Sequence, residues 1–234
     1  HAFNDMADRL DTLFQEVYQR GLLLRDAEIH QLESQIQPHF IFNILELINV
    51  RCMVAGQPAI CTTVQNLAQL LRASVVNHGK QIITLQEELD SVKYYLALQK
   101  ERFEEKLQYT VDVEDDKLLG CYLPKLTIQP LVENAIHYGM EEMTEVCHIY
   151  LQAEVKEGVL TIQVRNEGSN FEEELLEKLK NKSRSPHGFG IGLLNIDQRI
   201  RLLFGEEYGL TLSNEHDFAV ATIKMPFRKE EETC

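Results

Sequence analysis

No two of the five cysteines stand at Cys-x-x-Cys spacing. Cys52, Cys61, Cys121, Cys147 and Cys234 are odd in number and widely scattered. That pattern argues against a disulfide framework or a zinc site and for reduced thiols in a cytosolic compartment. Basic clusters are also missing. With 23 Lys and Arg against 37 Asp and Glu, the formal net charge is −14, and no Lys/Arg run forms a stripe. That balance argues against nucleic acid and anionic membrane surfaces as direct partners. No stretch approaches the ~20 apolar residues that a membrane span needs, and no signal peptide is visible. The chain does not begin with methionine, and it starts inside a helical pattern. The expectation is a cytoplasmic piece of a longer protein, reaching a membrane only through an upstream sensor region. What is present suffices for one large or two small domains: 234 residues, 44% of them hydrophobic.

Phe3, Met6, Leu10, Leu13, Val17 and Leu24 recur in three-and-four spacing, with Arg20 skipped, which predicts a coiled-coil seam over residues 1–27. Ile29, Leu32 and Ile36 keep the rhythm in a different phase, so a register shift is expected between Gly21 and Ala27. "CMVAGQPAI" is a turn, with Gly56 and Pro58 as breakers. A second helix follows over about Ala59 to Asn77. Two helices with a short link make an antiparallel hairpin, and two hairpins from two chains make a four-helix bundle. "TLQEELDSVKYYLALQKERF" starts with a capping box, Thr84 as N-cap and Glu87 three residues on. Beyond it, "KLQYTVDV", "CHIYLQAEV", "VLTIQVRN", "GLTLSNE" and "FAVATIKMP" alternate apolar and polar residues and predict half-buried strands, the second and third joined tightly through Glu157-Gly158. Helices are expected between the strands at 124–139, 171–181 and 191–204. The fold class is α plus α/β, with a boundary near residue 104.

Two motifs carry chemistry. In "QIQPHFIFNILELINV" (35–50), Ile36, Phe40, Ile44 and Leu47 centre the apolar stripe. His39, Asn43 and Glu46 fall together on its flank. Pro38 removes an amide and leaves the Ser34 carbonyl without its helical partner, which predicts a local loosening before the histidine. Asn43, four residues on, can hold one ring nitrogen and leave the other as nucleophile. A core histidine with a hydrogen-bond partner is the bland alternative. The second motif is "GFGIGLLN", where Gly188, Gly190 and Gly192 lead into a helix able to receive phosphate. No strand runs directly into these glycines, so they are not a Rossmann loop. In "QPLVENAIHYG", Glu133 and Asn134 are a polar pair among apolar residues, as a metal-phosphate site would need.

Four stretches together, "QIQPHFIFNIL", "ITLQEELDSVKYYLALQKERF", "LTIQPLVENAIHYG" and "GFGIGLLNIDQRIRLLFG", resemble the cytoplasmic part of sensor histidine kinases of the LytS/YesM type, in family order over residues 28 to 227. The resemblance implies a helical-hairpin dimerisation domain (28–103, four-helix bundle in the homodimer), an ATP-binding two-layer α/β sandwich of the Bergerat (GHKL) type (104–228) and a short tail (229–234). It makes His39 the phospho-accepting histidine and Asn134 the Mg²⁺ ligand beside Glu133. His137 and Tyr138, where the family usually has Lys and His, would lie at the adenine. Gly188, Gly190, Gly192, Leu193 and Asn195 would shape the phosphate loop and the helix after it. Residues 169–187, with Lys178, Lys180, Lys182 and Arg184, would form the ATP lid.

Three departures stand out. "NEGSN" (166–170) replaces the family's Asp-containing box, so Asn166, with Gly168 behind it, accepts from adenine as a neutral group. Asn170 takes the place of a glycine, and Phe218-Ala219 that of a glycine-threonine pair. Phe40 follows His39 where other histidine-kinase families carry an acid. The base is therefore Glu133, Glu46 or none, with Glu133 favoured. The implied function is ATP-dependent autophosphorylation on His39 and transfer to a response-regulator aspartate; the alternative is a degenerate kinase acting as a scaffold or heterodimer partner.

Overall fold

Helix α1 (Pro38–Val54) ends where Gly56 takes a left-handed φ of 65°. The Gly56 amide bonds the Met53 carbonyl at 3.1 Å and the Gln57 amide bonds that of Cys52 at 3.0 Å, the paired closure of a Schellman stop. Pro58 then opens α2 (Pro58–Val76), where its missing amide costs nothing. The structure is a computed structural model and describes residues 38–76, 81–142, 146–172, 175 and 189–229. The expected seam over 1–27, its register shift, the Ser34 carbonyl, most of the 171–181 helix and the lid lysines lie outside these residues. Among the described residues, no helix is long and apolar enough to cross a membrane.

The chain divides into two compact units between Arg51 and Cys52. In the first, α1 is apolar on two sides. Leu45 is buried and Phe42 half-buried, while Phe40, Ile44 and Leu47, expected at the centre of the buried stripe, are 62%, 40% and 47% exposed. The helix has more apolar surface than one chain covers, and the stripe read from the sequence is the uncovered side.

The second unit is built on a mixed sheet. A short strand β1 (Ile82–Thr84) leads into α3 (Leu85–Phe103). The Thr84 hydroxyl accepts from the Glu87 amide at 3.2 Å and the Glu87 carboxylate accepts from the Thr84 amide at 2.8 Å, so the capping box is formed as read. After β2 (Leu107–Val113), β3 (Tyr122–Pro124) pairs antiparallel with β1, a two-stranded piece too short for alternation to reveal. Helix α4 (Gln129–Glu142), strands β4 (Cys147–Lys156) and β5 (Val159–Glu167), helix α5 (Phe189–Phe204) and strands β6 (Gly209–Glu215) and β7 (Phe218–Pro226) complete the unit. The five-stranded sheet runs β2-β4-β5-β7-β6, with β2 parallel to β4 and every other pair antiparallel. Glu157 and Gly158, at φ 54° and 79°, make the tight β4–β5 turn.

Strict alternation assigns the two sheet faces. Ile149, Leu151, Leu160, Ile162 and Val164 point inward onto the helices. Leu85, Leu89, Val92 and Leu96 of α3, Leu131 and Val132 of α4, and Leu193, Ile196 and Ile200 of α5 join them in one core. α3, read from the sequence as the last helix of the helical part, thus packs as a layer of the sandwich. The opposite face carries a ladder of rings: His148 stacks on Tyr150 at 4.2 Å, and Phe218 meets Tyr150 edge-on at 5.8 Å.

Cys121 and Cys147 are fully buried, and burial pushes both thiols up to about 11 from 9.0. Below pH 9 both states keep their protons and the contribution to stability is intact. Above it the unfolded chain ionises first, and the contribution is lost as pH passes through 11. Melting temperature is therefore expected to fall between pH 9 and 11, and to fall less steeply in the Cys121→Ala/Cys147→Ala variant; equal slopes in a calorimetric pH series would contradict this.

Candidate functional site

Helix α4 starts with an accounting problem. The first amides of a helix have no partner inside it, and here the residues around the start are buried. Pro130, at the second position, has no amide to satisfy. The Leu131 and Val132 amides both reach the Ile128 carbonyl, at 3.0 and 3.2 Å. The remaining donors go to Glu88 of α3, which is 2% exposed: its carboxylate accepts from the amides of Ile128 (2.9 Å), Leu126 (3.1 Å) and Gln129 (3.3 Å). Arg199 of α5 closes the same loop, donating to the Leu126 carbonyl at 3.0 Å and the Thr127 hydroxyl at 3.3 Å. Burial lowers the Arg199 pKa and the Glu88 charge offsets part of that. Held this way, Leu126 sits at φ 57°, a strained conformation for a leucine.

The first turn of α4 then orients the predicted polar pair. The Gln129 side chain donates to the Glu133 carboxylate at 2.9 Å. The Asn134 amide nitrogen donates to the Pro130 carbonyl at 3.0 Å, and Asn134 is 4% exposed. Its Oδ1 is buried with no hydrogen-bond partner among the described residues. A buried amide oxygen left over in this way is an unused hard-oxygen donor. Glu133 also raises the pKa of the α3 phenol Tyr95, second to burial; a hydrogen bond with Gln99 and the Arg102 charge work the other way.

At the far end of α4, His137 and Tyr138 meet edge-on at 5.0 Å, and Tyr138 is 40% exposed. Gly139 lies against the end of β5: a Cβ there would stand 2.5 Å from Cys147 Sγ and 3.3 Å from Asn166 Nδ2. Asn166 is buried, and its Nδ2 donates to Ser169 Oγ at 2.7 Å and to the Glu167 carbonyl at 3.3 Å. The Glu167 carbonyl only accepts, so it fixes the amide with nitrogen inward and leaves the carbonyl oxygen as the free acceptor. Gly168, at φ 78°, turns the chain beyond it. Of the two replacements in β7, Ala219 pairs with Asn166 and adds little bulk beside it. Phe218 belongs to the outer ladder, where Arg165 also sits 5.7 Å from its ring, and so faces away from Asn166.

The glycine motif departs from the expectation. Helix α5 already begins at Phe189, so Gly190 and Gly192 lie in its first turn and not in a loop; Gly188 is outside the described residues. A Cβ on Gly192 would stand 3.7 Å from Pro130, so the first turn of α5 adjoins the start of α4, whose Pro130 carbonyl holds Asn134. Leu193 is core, and Asn195, expected to open this helix, is exposed in its second turn.

His39 belongs to the other unit. It is exposed, with Asn43 Nδ2 lying 3.2 Å from its Nδ1. Written that way round, the amide donates to Nδ1 and the ring proton sits on Nε2. Turning the amide over, a change of little shape, puts Oδ1 on an Nδ1–H and frees the Nε2 lone pair. Glu46 is exposed on the same flank. Among the described residues, no three His, Cys, Asp or Glu side chains gather as a metal site.

An exposed histidine on a helix, followed by a sandwich with a polar pair on α4, suits a histidine-kinase class of protein. Comparisons with known proteins agree. Residues 27–107 match the histidine kinase family model, and 123–229 match the family of histidine kinase-, DNA gyrase B- and HSP90-like ATPases. The chain is 41% identical over 229 residues to sensor histidine kinase YesM of Bacillus subtilis, covering 97% of this chain and 38% of that protein. It is 34% identical over 194 residues to sensor protein LytS of Bacillus cereus, covering 82% of this chain and 33% of that protein. Among solved structures, the catalytic domain of histidine kinase ThkA aligns with a TM-score of 0.48 at 20% identity, over 62% of this chain and 95% of that one. The chain belongs to the LytS/YesM-type sensor histidine kinases of two-component systems, with a GHKL ATPase domain. It spans about a third of the length of these relatives.

Glu88, Arg199 and Asp197 escaped the sequence reading. Asp197 is fully buried; it accepts two bonds from Arg201 Nε at 3.0 Å and one from the Leu210 amide at 2.9 Å, tying α5 to β6. The signal for Glu88 was its position in the apolar stripe of Leu85, Leu89 and Val92, where a solvated glutamate does not belong. Gly139→Ala is expected to destabilise the protein by about 1–3 kcal/mol through overpacking against Cys147; an unchanged urea midpoint would show that the helix end shifts without cost.

Proposed function

We propose that this chain is the cytoplasmic kinase portion of a membrane sensor, phosphorylating itself on His39 and passing the phosphoryl group to a response-regulator aspartate. The observation that carries the reading is the buried, unpartnered Asn134 Oδ1 beside Glu133, an oxygen donor suited to Mg²⁺. Bound Mg·ATP would supply the γ-phosphoryl group. In this reading Asn134 Oδ1 takes the cation and Asn166 Oδ1 accepts from the adenine amino group. The exposed Tyr138 ring offers a stacking surface, and the N-terminal end of α5 at Gly190 and Gly192 would receive phosphate charge. The Asn43 carbonyl holds the Nδ1–H tautomer of His39, so that Nε2 presents its lone pair. Nε2 would take the γ-phosphoryl group as its bond to the ADP oxygen breaks, and the Nδ1 proton, released from Asn43 in that step, would need a base, for which Glu133 is the favoured candidate.

The uncovered Phe40, Ile44 and Leu47 side of α1 supports a homodimer in which residues 28–103 form the bundle and 104–228 bind nucleotide. A scaffold reading rested on Asn166, Asn170 and Phe218. Asn166 keeps its acceptor, and Phe218 faces away from it, so the catalytic reading is preferred.

With γ-labelled ATP, His39→Gln is expected to abolish incorporation while Mg·ATP binding by calorimetry stays unchanged; label retained on the variant would remove His39 from its role. Glu133→Gln should slow incorporation by roughly 10²–10⁴-fold, as loss of a general base does. A wild-type rate would assign the proton elsewhere.

A further inference from the structure

We propose that Glu88 is a positioning residue for the nucleotide site, fixing the two polar side chains of α4 from a different helix. The inference rests on the nucleotide reading above. A helix start is ordinarily capped by a residue beside it in sequence, with Ser, Thr, Asp or Asn preferred. Thr127 is the local candidate, but its hydroxyl donates to the Pro124 carbonyl. The cap comes instead from Glu88, 38 to 41 residues upstream. A carboxylate is the only side chain that can do this. Both oxygens are used, one on Leu126 and one on Ile128 and Gln129. Three charge-assisted bonds keep the ion satisfied at 2% exposure.

Two short paths lead from this cap to the site. Gln129 gives its backbone amide to Glu88 and its side-chain amide to Glu133. Pro130, the next residue, gives its carbonyl to Asn134. Displacing Glu88 therefore turns the first turn of α4 and re-aims both side chains, with no atom of Glu88 at the nucleotide. Since Glu88 rides on α3, a shift of α3 along its axis carries the cap with it. The site then responds to the position of α3 within the sandwich.

Glu88→Gln tests this, because it keeps size and turns one acceptor into a donor facing an amide. In the intact chain, calorimetry with ATP in EDTA and with Mg·ATP is expected to give unchanged metal-free affinity. The gain in affinity that wild type draws from Mg²⁺ should fall by about tenfold, equivalent to about 1.4 kcal/mol. Equal weakening in both conditions, or a preserved Mg²⁺ gain, overturns the proposal. A nucleotide-free arm uses hydrogen exchange and amide NMR. Faster exchange at Ile128 and Gln129 with displaced Asn134 side-chain resonances, beside unchanged protection of Leu151 and Val164 in the sheet, supports positioning. Protection lost throughout the sheet, or no change at Ile128 and Gln129, overturns it. Should wild type bind no Mg·ATP, the nucleotide reading falls, while the exchange arm still decides whether Glu88 sets the helix.

Discussion

A buried charge with its bonds complete organises the sandwich. The Glu88 carboxylate lies inside the protein, where an unpaired ion costs several kcal/mol, and it is tolerated because three backbone amides converge on it. Those amides belong to the loop that starts α4, so one interaction satisfies the ion and the helix start together. Arg199 completes the arrangement from α5 through the loop's carbonyl and hydroxyl. Three helices are thereby keyed to a single geometry at the point where Glu133 and Asn134 emerge.

The two units divide the chemistry in a way their surfaces reflect. The sandwich gathers its buried apolar residues into one core, its outer sheet face is dressed with a ladder of rings and Arg165, and among the described residues the Asn134 Oδ1 is buried without a partner. The first unit is open. Helix α1 is apolar on two sides, and His39, Asn43 and Glu46 occupy the polar strip between them. The exposed His39 ring thus lies between a side of α1 that is covered and one that is not.

Most of this was legible in the sequence, for identifiable reasons. The strands were readable because Val, Ile, Thr and Tyr alternate without interruption along β2, β4, β5, β6 and β7. The α3 start was readable because a capping box is local. His39 was readable because it departs from the apolar stripe at helical spacing. The α4 start was not: periodicity suggested 124–139, but Leu126 at φ 57° and the cap on Ile128 and Gln129 delay it to Gln129. That cap depends on a residue some forty positions away, beyond the reach of local pattern. The first turn of α5 was missed because glycines read as loop, whereas packing beside Pro130 makes them helical. The side of α1 that stays uncovered was invisible for a different reason: both sides are apolar, and a sequence does not say which of two partners comes from the same chain.

The distance along the chain between Glu88 and its amides also orders events in time. Closing a loop of about 40 residues costs conformational entropy that no local contact repays in advance. The α4 start can be capped only once α3 has docked beside it. The aim of the residues that would grip metal and proton is thus settled by long-range packing, and no stretch of chain around them can set it alone.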